Sequence, residues 1–349
     1  MAFNPSREDY ERLSLRFVLS FDERGLGQSD IAHEVASFGR RFAQDRDGLP
    51  QTDEDRAFHL VSIATTTIDY ELPFADDQQA QELIERGHGL LDEALQLDPK
   101  NFDALRMKRA AEIASFEGYY DFLREREEEV RARCTEAARA AGARDAGERS
   151  ALEADLAMRP CLRWLATLAS KAIICGRNRE ALRWCEQALQ LDPTDAADVR
   201  FTAAIAHAKL EDEQGLEQLI RRSRKLGAGQ RHDVDDAWTQ IAQTSLAYKR
   251  HDMVTAKRLL RQLIKSYPHG AATLAAMREL PDGVFSRLAV PPFSEDELIL
   301  AVSEATVLFQ EGRDHRGRGS LGSWVERCAR EIDPADVAAL DREGMGRRI

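Results

Sequence analysis

The hexamer Ala94-Leu95-Gln96-Leu97-Asp98-Pro99 recurs, residue for residue, as Ala188-Leu189-Gln190-Leu191-Asp192-Pro193. The residues before each copy agree in kind, Leu91-Asp92-Glu93 against Cys185-Glu186-Gln187. A degenerate third copy is Leu263-Ile264-Lys265-Ser266-Tyr267-Pro268. In each, an apolar stripe at three- and four-residue steps stops at a proline, which has no amide to give a helix and clashes with the turn before it. A new apolar-periodic segment starts within a few residues, at Phe102-Asp103-Ala104-Leu105 and at Ala197-Asp198-Val199. Helices that stop and restart in this manner form antiparallel hairpins stacked in a row.

Outward from these copies the chain stays helical in pattern, and no stretch alternates with period two, so the expected class is all-α. Residues 1–50 predict two helices, near Ser6–Phe21 and Ser29–Gln44, joined through Gly25 and Gly27; a third runs from Thr52 to about Tyr70. Pro281, Pro291 and Pro292 break the chain before three short helices near Ser294–Gln310, Ser320–Ile332 and Pro334–Leu340. Ser294-Glu295-Asp296-Glu297 reads as a capping box, with the serine hydroxyl accepting an amide and Glu297 reaching back. Asp333-Pro334 reads as a helix start, and Gly176, Gly227 and Gly312 as left-handed helix ends. The expected organisation is a helical extension over 1–50, a solenoid over 51–270 and a C-terminal cap over 271–349, because a solenoid needs ends with one polar face. Between the two perfect copies, Ala104–Met158 must hold helices longer than a standard hairpin. Its Glu/Arg-rich stretch Arg124–Arg149 reads as a solvated face.

The repeat resembles the tetratricopeptide repeat (TPR). In the best match, Leu162–Asp195, the first-helix positions are Leu165, Leu168, Ala169 and Ala172, and the second-helix positions are Ala181, Cys185, Ala188 and Pro193. Second-helix and closing positions also match at Leu91, Ala94 and Pro99, and at Ala256, Leu260 and Pro268. MRPCLRWLATLA leading in and DPTDAADVRF leading out are similar to bacterial TPR proteins related to the suppressor of tumorigenicity seven family. The resemblance covers about Leu91–Pro268. It implies a right-handed superhelix of antiparallel helix hairpins with irregular helical caps, and a concave surface that grips a partner peptide or helix.

Composition narrows the partner. Of 349 residues, 43% are apolar and 32% charged, and the net charge is −12. This excludes a disordered or membrane-embedded chain and argues against nucleic acid and anionic membranes as partners. The five cysteines contain no C-x-x-C pair, and the N-terminus has no apolar signal core, so the expected compartment is the cytoplasm. Arginine outnumbers lysine 41 to 8, an association with GC-rich bacterial genomes.

No catalytic or metal-ligating constellation stands out: no histidine pair has ligand spacing, and no glycine-rich loop follows a strand. The expectation is a non-catalytic interaction protein with no cofactor and no metal. A site assembled only in the fold stays open. So does a transcriptional regulator, because Ser29–Ser37 faintly resembles the first half of a helix-turn-helix. Against that, residues 1–50 carry seven arginines and nine acidic residues.

Counting back from the closing prolines places Arg106, Arg163, Arg200 and Lys249 on the inner face, with His207, Trp238 and Tyr248; only Asp103 is acidic there. The sign inverts that of the whole chain, so the expected partner is a protein or peptide presenting an acidic segment. Trp238 and Tyr248 also fit one core stripe with Val234, Ile241 and Ser245, and both readings stand. Oligomeric state is not legible.

Overall fold

The repeated hexamer folds twice into the same structure. Asp98 (φ −134°, ψ 92°) and Asp192 (φ −132°, ψ 93°) end their helices with matching backbone geometry. Each donates its amide to the carbonyl four residues back, Ala94 at 2.9 Å and Ala188 at 2.8 Å. Each carboxylate then accepts the amide two residues on, Lys100 at 3.0 Å and Thr194 at 2.9 Å. This Asx turn replaces the helical hydrogen bonds that Pro99 and Pro193 cannot make.

The computed structural model describes residues 3–24, 28–143, 147–225, 235–277, 280, 283–313 and 317–339. Among these there is no strand. In chain order the helices are α1 (Pro5–Arg24), α2 (Gln28–Gln44), α3 (Asp53–Thr65), α4 (Asp77–Leu97), α5 (Phe102–Glu112), α6 (Phe116–Gly142), α7 (Glu148–Ile174) and α8 (Asn178–Leu191). There follow α9 (Val199–Lys209), α10 (Glu213–Lys225), α11 (Ala237–Lys249), α12 (Met253–Ser266), α13 (Gly270–Ala276), α14 (Glu295–Glu304), α15 (Thr306–Phe309) and α16 (Ser320–Ile332). Residues 334–339 are helical as well. A π-helical turn, Thr66–Glu71, and a 3-10 turn, Leu72–Phe74, continue α3.

The chain divides into two compact units. One holds residues 2–167 together with 283–287; the other holds 168–282 and 288–349. The boundary expected at residue 50 falls inside the first unit, because α1 packs on α3 and does not stand apart as an extension. That expected at 270 falls inside the second, where α13 packs on α12, α14 and α16. The turn expected at Gly25 and Gly27, the helix end at Gly227, and Val234 lie outside the described residues.

In the N-terminal unit, α3 packs against α4 and α4 against α5. Ala57, Phe58, Val61, Leu91, Ala94, Ala104 and Met107 form one core, with Phe285 among them. Leu13, Phe17, Phe21, Phe38 and Leu49 form another between α1 and α2. The long helices expected over Ala104–Met158 are α6 and α7, of 27 residues each. Pro160 lies within α7.

Three successive helix ends share one turn. After α7, α9 and α11 the chain takes a left-handed residue: Gly176 (φ 73°), Glu211 (φ 58°) and His251 (φ 60°). The next amide reaches the carbonyl five residues back: Arg177 to Ala172 at 2.7 Å, Asp212 to His207 at 2.9 Å and Asp252 to Ala247 at 3.0 Å. This is the Schellman closure, and it ties up carbonyls the helix end leaves open. Glycine occupies only the first turn, so only that one could be read from sequence. Ala181, Leu216 and Ala256, 35 and 40 residues apart, occupy the matching buried position on α8, α10 and α12.

The other end signals hold, with one exception. Gly312 takes φ 66°, and Asp333 accepts the amide of Asp336 at 3.1 Å. Ser294 accepts the amide of Glu297 at 3.2 Å. Glu297 does not close the box on Ser294. It accepts from the Phe293 amide (2.6 Å), the Ala237 amide (3.1 Å) and the Tyr267 hydroxyl (2.5 Å), and so ties α14 to α11. Three donors in a buried site outcompete the single local one.

The same glycine-to-alanine change should act with opposite signs at two sites. Gly176→Ala forces a side chain into the left-handed region and should cost about 1–2 kcal/mol. Gly89→Ala, exposed in the middle of α4 with nothing within 4 Å of the added carbon, should stabilise by about 0.5–1 kcal/mol. Urea unfolding followed by circular dichroism measures both.

Candidate partner-binding surfaces

The seven residues expected on an open inner face are all engaged by the chain itself. Arg106, on α5, and Arg163, on α7, are 2% and 1% exposed. That removes both from any open groove, and the expectation that they line one is corrected. Counting back from the prolines does not show that the chain itself covers these positions.

Around Arg163 the N-terminal unit builds a buried charge network. Its guanidinium donates to both oxygens of Asp103 (2.8 and 2.6 Å) and both of Glu8 (2.7 and 3.3 Å). It also lies over the rings of Phe285 and Phe3, 4.3 and 4.9 Å from their centroids. Glu8 comes from α1 and accepts Arg12 as well, at 2.8 Å. Burial pushes the Glu8 and Asp103 carboxyls up, but Arg163 with Arg12 and Arg106 more than offsets it, and both end below their ordinary values. A second cluster joins Asp9 to both arms of Arg46 (2.8 and 2.6 Å) and to His59 Nδ1 (2.8 Å).

Above this network lies a short bent stretch, Gly283–Arg287. Arg106 donates to the carbonyls of Val284 (2.7 Å) and Phe285 (2.6 Å), and to the Thr167 hydroxyl (3.1 Å). Asp69 accepts the amides of the same two residues, at 2.8 and 3.3 Å. Asp69 sits on the π-helical turn, where the extra residue re-aims a side chain off the regular helical face. Burial pushes its carboxyl up to about 6, against the pull of the two amides and of Arg106. A cavity of about 380 Å³ opens beside the same turn, lined by Glu71, Phe74, Gln79, Leu83 and Arg86.

In the C-terminal unit α9 and α11 are covered by α14 and α15. Trp238 stacks on Phe201 with centroids 4.0 Å apart, and its indole donates to Glu304 at 2.8 Å. Tyr248 packs on Trp324. Arg200 binds Asp195 and Asp198, both at 2.8 Å; burial opposes its charge, yet these two carboxylates hold its pKa above the ordinary value. His207 meets Asp212 at 2.9 Å, and burial keeps its ring pKa low. Lys249 and Lys209 converge on one carboxylate, Glu311, at 2.9 and 3.3 Å. Burial lifts that carboxyl, but the two ammonium groups bring it below its usual value.

Sequence reasoning missed Lys209, Asp69, Phe285, Glu304 and Glu311. One signal was available: Glu297, Glu304 and Glu311 recur at seven-residue spacing, two helical turns, on the segment that covers α11.

Four cysteines are buried, and Cys175 is partly so. Burial pushes the Cys134 thiol up to about 11 and raises Cys161 and Cys328. Among the described residues no three His, Cys, Asp or Glu side chains group as a metal site, and no helix is long and apolar enough to cross a membrane. Comparison with protein-family models, with curated proteins and with solved structures finds no match.

The network fixes a pH response. Glu8 and Asp103 are depressed in the fold, so their stabilisation is present above about pH 4.5 and lost as pH falls through the folded values. Asp69 has the opposite sign. Its raised value gives stability below about pH 4 that is lost as pH rises through 6, about 3 kcal/mol for a shift of two units. Arg163→Ala strands two buried carboxylates and should cost about 3–5 kcal/mol at pH 7. Asp69→Asn should flatten the stability profile between pH 4 and 6. Denaturant midpoints measured from pH 4 to 8 test both.

Proposed function

We propose that the protein is a non-catalytic interaction module of TPR-like hairpins that holds an acidic partner segment on the inner face of α9 and α11. One observation carries the reading: an acidic segment of the chain itself is seated there. Glu304 takes the Trp238 indole and Glu311 takes the two lysines, so the face discriminates by charge and presents one aromatic anchor. The shared turns after α7, α9 and α11 support the repeat reading, since equivalent closures set equivalent helix pairs side by side. Buried aromatics carry most of the energy at such surfaces, and rim charges set selectivity and association rate. Glu311 is 45% exposed at its side chain, so the lysine contact is the part of the cis interaction that solvent and a competing carboxylate reach first.

A labelled peptide with the sequence of residues 294–313 tests this. It should bind a Glu304→Gln/Glu311→Gln protein at least tenfold more tightly than the wild type, since the cis segment is then weakened. Adding Lys209→Gln and Lys249→Gln should abolish that gain, and affinity should fall between 50 and 500 mM salt as the exposed pairs are screened. Equal affinity in all three proteins, each shown folded by circular dichroism, would refute the charge-reading face.

A further inference from the structure

Residues 283–287 belong to the N-terminal unit although the rest of that unit ends at residue 167. They lie in it as a bound peptide lies in a receptor. All four main-chain polar groups of Val284 and Phe285 are taken by two buried side chains. Asp69 accepts both amides and Arg106 donates to both carbonyls. Main-chain contacts of this kind read the bend of a backbone whatever its side chains. The side chain of Phe285 supplies the selection. It is 1% exposed, edge-on to Phe58 at 6.2 Å, with the Arg163 guanidinium 4.3 Å from its centroid. Ser286 adds one further bond, from its hydroxyl to the Phe3 carbonyl at 2.9 Å.

Residues outside the stretch also hold the receptor side. Asp103 and Glu8 fix Arg163, and the Asp103 carboxylate and Thr167 also orient Arg106. Arg106 Nε is buried and has no hydrogen-bond partner. The guanidinium is thus not saturated by a dedicated internal carboxylate; its strongest bonds, at 2.6 and 2.7 Å, go to the two carbonyls of the stretch. A π-helical turn aims Asp69 at the same dipeptide, and such turns cluster at functional sites.

We infer that the Asp69–Arg106 cradle is a binding site for a partner segment that takes the same bend and carries an aliphatic–phenylalanine pair, and that residues 283–287 occupy it in cis. The inference is independent of the acidic-segment reading: the unit, the residues and the ligand chemistry all differ. Recognition here is by main chain and one buried ring, so it should be insensitive to salt.

The probe is a fluorescein-labelled peptide of residues 280–290, LPDGVFSRLAV, added to the full chain. A cis segment acts at an effective concentration in the millimolar range, so the wild type should bind the peptide only weakly. The Phe285→Ala protein vacates the pocket and should bind it at least tenfold more tightly. A peptide with alanine for its phenylalanine, and one N-methylated at the two amides that face Asp69, should each lose at least tenfold. Absence of binding by a folded Phe285→Ala protein overturns the inference, as does equal binding of the N-methylated peptide. If Phe285→Ala does not fold, the wild type decides. Millimolar peptide should speed hydrogen exchange at the Val284 and Phe285 amides, and exchange unchanged by peptide overturns the inference as firmly.

Discussion

A guanidinium that leaves water must find inside the protein both a counter-charge and partners for its five N–H groups. Arg163 finds them on three separated parts of the chain: Glu8 on α1, Asp103 on α5, and the rings of Phe3 and Phe285. The cost of dehydrating three charges is met only when every one of these pieces is in place. The network therefore works as a fit criterion more than as a source of net stability. It specifies one docking of α1 against α5 and α7, and one seat for the stretch that carries Phe285. Arg106 inherits that order, since Asp103 serves both arginines.

The hairpins were legible because their signals are local. A helix ends where proline denies it an amide, and the preceding aspartate supplies the turn; both copies of the hexamer carry all of this within six residues. The Schellman turn at Gly176 was legible for the same reason. Its equivalents at Glu211 and His251 were not, since a left-handed residue other than glycine leaves no mark in composition. The registration of Ala181, Leu216 and Ala256 becomes visible only once those turns are known.

The coverage of the inner faces was not legible, and the reason is physical. Periodicity tells which side of a helix is apolar, not which distant segment lies on it. Trp238 fitted a core stripe and a groove equally well. It is buried against Phe201 and also donates to Glu304, a carboxylate 66 residues away. Arg106 and Arg163 were placed in the groove by counting back from the closing prolines, which says nothing of what covers them. Only the placement of Glu8 and of residues 283–287 makes them internal. Asp69 depended on an even finer feature, a single π-helical turn that shifts the face of α3 by one residue.

The two occupied faces differ in what holds their occupants. On α9 and α11 the charged contacts lie near solvent, at Glu311 and the two lysines, and their strength depends on ionic strength. In the Asp69–Arg106 cradle the contacts are buried hydrogen bonds and one phenylalanine ring, which salt barely touches. An internal occupant raises the apparent dissociation constant of any competitor by the ratio of its effective concentration to its own intrinsic constant. For the first face that ratio falls as salt screens the cis segment, and the competitor weakens in parallel, so charge discrimination would fade with salt and leave the Trp238 anchor. For the second face the ratio is set by how well Phe285 fills its pocket. A competing segment must then match both the ring and the four main-chain bonds. A partner that supplies the ring alone would leave Asp69 or Arg106 buried without a partner, and the cost of that orphaned charge would make the cradle selective for a backbone with the same bend.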